Sequence, residues 1–404
     1  MGIYLNPGRK AYEKAVNTEI FVDKTEMISF LNSVVGTKKK YISVSRPRRF
    51  GKTIAADMIC AYYDKEADSR GLFEQRKLAV EKGMQLPWDA YLGRFDVIRI
   101  VMTDFFKKDI PVEKALEKLQ KLVVRGIKKK YPEADYFDDT DLIQSMADVY
   151  DSNGQQFVVV IDEWDAVFRI LKEDKEGQTR YLDFLRDWLK DKTYIALAYM
   201  TGILPIKKYG EHSALNMFTE YSMLAPMQLA AYTGFTEEEV SDLCRRYGRD
   251  YNKIKDWYDG YEVSDIIPPD PDHKQLSETG VSPTAKRYAL YSPLSIVNAV
   301  STGIIRNYWN KTEIYEALAE YIRKDYDGLK EAVALLMDGG RLKIDTSTYQ
   351  NDMTTFHGRD DVLSLLIHLG YLGFDDERSE VFIPNREILD EFRTCVSAIS
   401  QVSR

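Results

Sequence analysis

The chain has 404 residues, 44% hydrophobic and 30% charged, with a net charge of −8, three cysteines and four histidines. That length suits two or three globular domains, and the acidic balance argues against a wholesale nucleic-acid coat. Cys60, Cys244 and Cys395 have no metal spacing and the histidines are scattered, which points to a reducing, cytoplasmic setting without disulfides or a His-based metal site. No apolar stretch approaches the roughly 18–20 residues of a membrane span, and the N-terminus lacks a basic-then-apolar leader, so no membrane partner is expected.

The first element with chemical content is the apolar run Tyr41-Ile42-Ser43-Val44, which predicts a strand. It leads into Arg46-Pro47-Arg48-Arg49-Phe50-Gly51-Lys52-Thr53 and then a helix-compatible run from Ile54 to Cys60. Strand, loop and helix in that order are the setting a phosphate-binding loop, G-x-x-x-x-G-K-[ST], requires. The Gly51-Lys52-Thr53 end is intact, but Arg46 stands where the pattern has Gly. Residues Arg48, Arg49, Phe50, Gly51, Lys52, Thr53 and Ile54 are expected to wrap a nucleotide, their N–H groups and the helix N-terminus facing its β- and γ-phosphates. Lys52 adds a point charge and the Thr53 hydroxyl a ligand for Mg²⁺. The alternative is an Arg- and Gly-rich turn that merely starts a helix. Two other basic clusters, at Lys38-Lys39-Lys40 and Lys128-Lys129-Lys130, read as solvated element ends.

The segment 95–102 supplies a further strand. Phe157-Val158-Val159-Val160-Ile161 then forms a β-branched run ending in Asp162-Glu163. Such a run reads as a strand buried on both faces of a parallel sheet, with its acidic end where ligands bind in open α/β sheets. This is the Walker B pattern, in which Asp162 orients Mg²⁺ and Glu163 polarises the attacking water. An acidic helix cap after a buried strand is the other reading. Helical patterns follow at Ala166–Ile170 and around Tyr181–Leu189, then a fourth strand, Tyr194 to Met200, ending at Thr201-Gly202. Thr201 is expected to act as a sensor of the γ-phosphate or lytic water, unless it is only a turn residue. Arg186, Arg48 and Arg49 are the arginines considered for stabilising transferred charge, a role worth about 10³–10⁵ in rate.

From Gly234 the pattern turns helical, with Thr236 and Glu239 spaced as a capping box, and the polar, proline-rich 264–286 reads as an exposed loop. Residues 288–404 show helices, then a helix across Val362–Leu369 followed by two short apolar runs, the outline of a winged helix. That module serves either as a protein–protein joint or as a DNA contact. The helix carries few positive charges, which favours the joint.

Together these residues resemble the bacterial AAA-ATPase-like proteins with an Arg-Pro-Arg-Arg-Phe-Gly-Lys-[Ser/Thr] loop, many of which carry a C-terminal PD-(D/E)XK nuclease domain. The resemblance extends over Phe21-Val22-Asp23-Lys24-Thr25, Asp162-Glu163-Trp164-Asp165, Thr201-Gly202-Ile203-Leu204, Trp257-Tyr258-Asp259-Gly260-Tyr261, Tyr308-Trp309-Asn310-Lys311-Thr312 and Ile383-Pro384-Asn385-Arg386-Glu387. It implies an α/β P-loop core at 1–228, a small helical domain at 229–287 and a helical, winged-helix-like domain at 288–404. It also implies ATP and Mg²⁺ as ligands, with hydrolysis acting as a conformational switch and self-association or a protein partner as the setting. A nucleotide-held binding module with little turnover and a DNA-binding regulator are the competing readings. No nuclease activity is expected, because Pro271-Asp272 has no strand-borne Glu-x-Lys after it. Asn310-Lys311-Thr312-Glu313 only echoes a guanine-reading motif, so adenine is the expected base.

Overall fold

The structure, a computed structural model, describes residues 2–81, 86–206, 214–265, 286–309 and 313–402. Pro271-Asp272, Asn310-Lys311-Thr312 and nearly all of the loop expected at 264–286 lie outside them. The chain separates into two units: 1–44, 52–220 and 352–354 form one, and 45–51, 221–351 and 355–404 the other.

The first unit is built on β1 (Tyr41–Ser45), β2 (Asp96–Val101), β3 (Phe157–Asp162), β4 (Ile195–Gly202) and β5 (Thr219–Tyr221), in the sheet order β2-β3-β4-β1-β5. β2, β3 and β4 pair in parallel, and β1, β3 and β4 are buried along their whole length. This explains their continuous apolar runs, since strands covered on both faces have no solvent side to mark with polar residues. The α/β class is therefore as expected. The 95–102 strand lies between the two motifs in sequence, but in the sheet it flanks β3 on the far side. β4 is the strand that separates β1 from β3.

One face of the sheet supplies Ile98, Ile100, Val159, Ile161 and Met200 to a core closed by the helices Val112–Lys130, Leu142–Asn153 and Lys175–Leu189, with Trp188 fully buried at its centre. Strand alternation turns Val158 and Val160 to the other face, against which the helix Lys52–Tyr63 lies. The exposed edge of β2 is covered by the N-terminal segment: Asn6 N–H donates to Val97 O (2.7 Å) and Arg99 N–H to Tyr4 O (2.9 Å). A covered edge cannot recruit another chain. No described helix is long and apolar enough to cross a membrane.

The second unit contains the helix Glu237–Tyr247, whose expected capping box between Thr236 and Glu239 is formed. Its surroundings are less helical than the sequence suggests. β6 (Phe235–Thr236), β7 (Tyr261–Ser264) and β8 (Arg287–Tyr291) form an antiparallel sheet in the order β6-β8-β7. Further on, β9 (Leu342–Lys343) joins the hairpin β10 (Gly373–Asp375) and β11 (Glu380–Phe382) that follows the helix Arg359–Leu369.

Three of the motifs noted in the sequence meet around Glu387. Its Oε1 accepts from Tyr308 N–H (2.6 Å) and its Oε2 from Ser295 Oγ (2.7 Å), while Asn385 Nδ2 donates to Tyr258 O (3.3 Å). Gly260 has φ 127°, and a Cβ there would stand 1.8 Å from Pro384 O, so only glycine fits. Burial lifts the Glu387 carboxyl to about 7, against the opposing pull of the Tyr308 and Ser295 hydrogen bonds. Its ordinary value is 4.5, so the folded state holds the proton more tightly than the unfolded one. The resulting stability is complete below pH 4.5 and is lost as pH rises through 7, with a limiting slope of about 1.4 kcal/mol per pH unit. Urea unfolding at pH 5 and pH 8 should show this loss in the parent and a much flatter response in Glu387→Gln.

Candidate nucleotide site

β1 ends at Ser45 and the next helix begins at Lys52, leaving residues 46–51 as the connecting turn. Arg49 (φ 69°) and Gly51 (φ 83°) are left-handed, and the residues flanking each are not. Backbone that alternates in hand turns successive N–H groups into one concavity, the geometry of an anion nest. Arg46, in place of the usual Gly, is fully buried and donates through Nη1 to Ser45 O (2.8 Å) and Tyr221 O (2.7 Å). Its φ is not positive, so this position does not need glycine. Phe50 is buried edge-on to Tyr261 with ring centroids 5.4 Å apart, and Arg49 Nη1 donates to Tyr308 O (3.2 Å). Arg48 is half-buried, and Ile54 is exposed on the first turn of the helix.

Lys52 is buried at that helix start, and burial pushes its ammonium down to about 8. The charges of Asp165, Asp162 and Glu163 pull it back up, Asp165 most strongly, while Arg169 pushes it down. The Thr53 side chain hydrogen-bonds the Asp162 carboxylate, whose own pKa is raised by burial against the effect of Arg99 and that bond. Arg99 Nη2 lies 3.6 Å from Asp162 Oδ2 and 2.7 Å from Asp57 Oδ1. Across the sheet, Asp162 stands in register with Val101 on one side and Thr201 on the other. The Thr201 hydroxyl is buried and has no hydrogen-bond partner among the described residues. A buried hydroxyl of this kind is uncommon and calls for a physical reason.

Glu163 follows in left-handed backbone, φ 53°, a conformation that persists in a non-glycine residue only where its surroundings enforce it. Its Oε2 is 2.8 Å from Arg169 Nη2, and Arg169 Nε is 3.2 Å from Asp165 Oδ2. Asp165 Oδ2 also accepts from Ile203 N–H (3.1 Å) and Leu204 N–H (2.9 Å), just past the tip of β4. Gly202 permits this approach: a Cβ there would stand 2.7 Å from the Trp164 ring and 2.8 Å from Asp165 Oδ1.

Lys52, Thr53, Asp162, Glu163 and Thr201 thus gather at one end of the sheet, where buried positive charge, paired carboxylates and a bare hydroxyl suit a phosphate with its Mg²⁺. Arg186 stays on the exposed face of its own helix, held by Asp183 (2.7 Å) and Asp187 (3.1 Å). The arginine that reaches Glu163 is Arg169, which sequence reasoning passed over together with the role of Asp165. The signal was there in part: Asp165 and Arg169 are spaced four apart, as neighbours on one helical face are.

A family model described as Predicted AAA-ATPase matches residues 8–210. No curated protein matches the chain. Similar solved structures include a Walker-type ATPase of Pyrococcus abyssi, 12% identical with a TM-score of 0.43, over 92% of this chain and 94% of that one. Another is the Orc1 protein of Aeropyrum pernix in complex with DNA, 12% identical with a TM-score of 0.31, over 100% of this chain and 99% of that one.

Replacing Asp165 with alanine takes one of the two carboxylate partners of Arg169 and strands two buried N–H groups at once. Breaking one side of a buried ion pair costs about 3–5 kcal/mol, and Asp165→Ala should lose stability of that order in chemical denaturation.

Proposed function

Because the chain belongs to the predicted AAA-ATPase family, we propose that it binds Mg·ATP around Lys52 and hydrolyses it with Glu163 as general base. The observation that carries this reading is the convergence of Lys52, the bonded pair Thr53–Asp162 and the bare Thr201 hydroxyl at aligned strand ends. The turn 48–51 and the first helical turn, with Ile54, hold the phosphates through N–H groups, and Lys52 supplies charge to the β- and γ-oxygens. Thr53 and Asp162 would hold Mg²⁺, which would supply charge neutralisation to the phosphates. Glu163 takes the proton of the attacking water, and Thr201 orients that water or the γ-phosphate.

The cycle acts as a conformational switch, and the strained turn at Glu163 is the natural element for it to move. Free, buried Cys60, Cys244 and Cys395 fit a cytoplasmic protein. For the helix Arg359–Leu369 and its hairpin a protein–protein joint is favoured over DNA. The helix is buried from Asp361 through Leu369 and so has little face left for a groove. A second reading, a nucleotide-held switch with little turnover, draws support from the ion pair that occupies Glu163.

Lys52→Ala should abolish ATP binding in a titration while the circular dichroism spectrum stays that of the parent. Equal affinity in the two proteins would remove the site. Glu163→Gln should keep Mg·ATP and slow phosphate release by about 10²–10⁴-fold, the usual worth of a positioned base. Phosphate release from Glu163→Gln at the parent rate would favour the low-turnover reading. Asp162→Asn should weaken binding only where Mg²⁺ is present.

A further inference from the structure

The helix Val112–Lys130 buries one face in the core of the first unit and turns the other to solvent. Five cations occupy that outer face: Lys114, Lys118, Lys121, Arg125 and Lys129, all exposed. At about 100° per residue they fall within an arc of about 80°, and they run for about 22 Å along the helix. One carboxylate borders them, Glu117, held by Lys114 (3.0 Å) and Lys121 (2.6 Å). Glu113 is drawn off to Arg180 (2.7 Å). Among the described residues, Lys118, Arg125 and Lys129 meet no carboxylate. Of the basic run at 128–130 only Lys129 joins the stripe, since Lys130 turns to the buried Asp96 (2.6 Å) and Lys128 is held by Asp139. A face that is merely solvated mixes both signs. The neighbouring helix Lys175–Leu189 does so: Arg180 meets Glu176 (2.5 Å) and Arg186 meets Asp183 (2.7 Å). An unmixed stripe on a chain of net charge −8 creates a local positive field against that background.

We infer that this face carries the phosphate backbone of duplex DNA, in a contact that reads no sequence and is independent of the nucleotide reading. Cations about one helical turn apart suit a row of phosphates, each releasing a counterion on contact. No exposed large hydrophobic lies on this helix. The face therefore has nothing to stack on bases, as single-strand binders do, and nothing to sink into a membrane. Protein interfaces are poor in lysine, which argues against an acidic protein as the occupant. The acidic segment Asp138-Asp139-Thr140-Asp141, reached through Lys128, bounds the track at its C-terminal end.

The test is fluorescence anisotropy of a labelled duplex of about 20 base pairs, titrated with the full chain at about 50–200 mM salt and without nucleotide. The parent should bind with a Kd of about 10⁻⁴–10⁻⁶ M at physiological salt, and five contacts should give log K a slope of about −4.5 against log salt. The triple variant Lys118→Gln, Arg125→Gln, Lys129→Gln should bind about tenfold or more weakly, with the slope shallower by about 2.7. Removing the same charge elsewhere, in Lys10→Gln, Lys38→Gln, Lys39→Gln, should leave affinity and slope as in the parent. All six side chains are exposed, so both variants should melt with the parent. Equal losses in the two variants would make the attraction a matter of overall charge and overturn the inference. So would a parent that does not bind, or a stripe variant that binds as the parent does. Tighter binding to single-stranded DNA, to duplex RNA of the same length or to poly-glutamate would overturn it too, the last pointing to an acidic protein. Loss of ATP binding would touch none of these outcomes, so the two readings fail separately.

Discussion

A single carboxylate oxygen, Asp165 Oδ2, gathers the backbone N–H groups of Ile203 and Leu204 and the Nε of Arg169, all within 3.2 Å. Asp165 is completely buried, so its charge acts at low local dielectric, where each donor gains most and the absence of one costs most. Through those donors it sets the path of the chain after β4, the place of Arg169 and thereby the position of Glu163. It is also the carboxylate that does most to keep the buried Lys52 charged. Without that oxygen the residues around it would have no shared anchor.

The site is balanced before any phosphate arrives. Arg99 faces Asp57 and Asp162, Arg169 faces Glu163 and Asp165, and Lys52 feels three carboxylates. Such pairing adds little net stability, because the cost of taking charges out of water offsets most of the attraction. Such pairing bears on selectivity instead: an anion that had to displace an existing partner would be discriminated by charge and shape. The same balance lets the end of a parallel sheet hold this many ionised groups without falling apart.

Much of this was legible in the sequence, and the reason is the kind of signal each element leaves. β1, β3 and β4 are buried on both faces, so each writes an unbroken apolar run that local reading finds. Asp162 and Thr201 sit at the ends of such runs, and Lys52 and Thr53 open the helix that follows the turn after β1, so local reading finds all four. The antiparallel sheet of β6, β7 and β8 was missed because β6 has two residues and β8 is separated from β7 by more than twenty positions. Pairing at that distance leaves no local periodicity. The sequence singled out Arg186 and not Arg169, although both lie on helices between β3 and β4. What separates them is which way each helix turns its face, and that is decided by Trp188 and Leu185 packing inward, not by the arginine.

The buried Arg46 bears on how the loop would be improved by design. A comparison with the general phosphate-loop pattern marks that position as defective and recommends glycine. In this chain the Arg46 guanidinium bonds both Ser45 O and Tyr221 O, the latter 175 positions from it in sequence, and its backbone has no need of glycine's freedom. Glycine there would delete a fully buried side chain, remove its hydrogen bonds to two carbonyls and loosen the unfolded chain as well. A consensus drawn from many loops is an average over scaffolds, and here the average residue would be the damaging one.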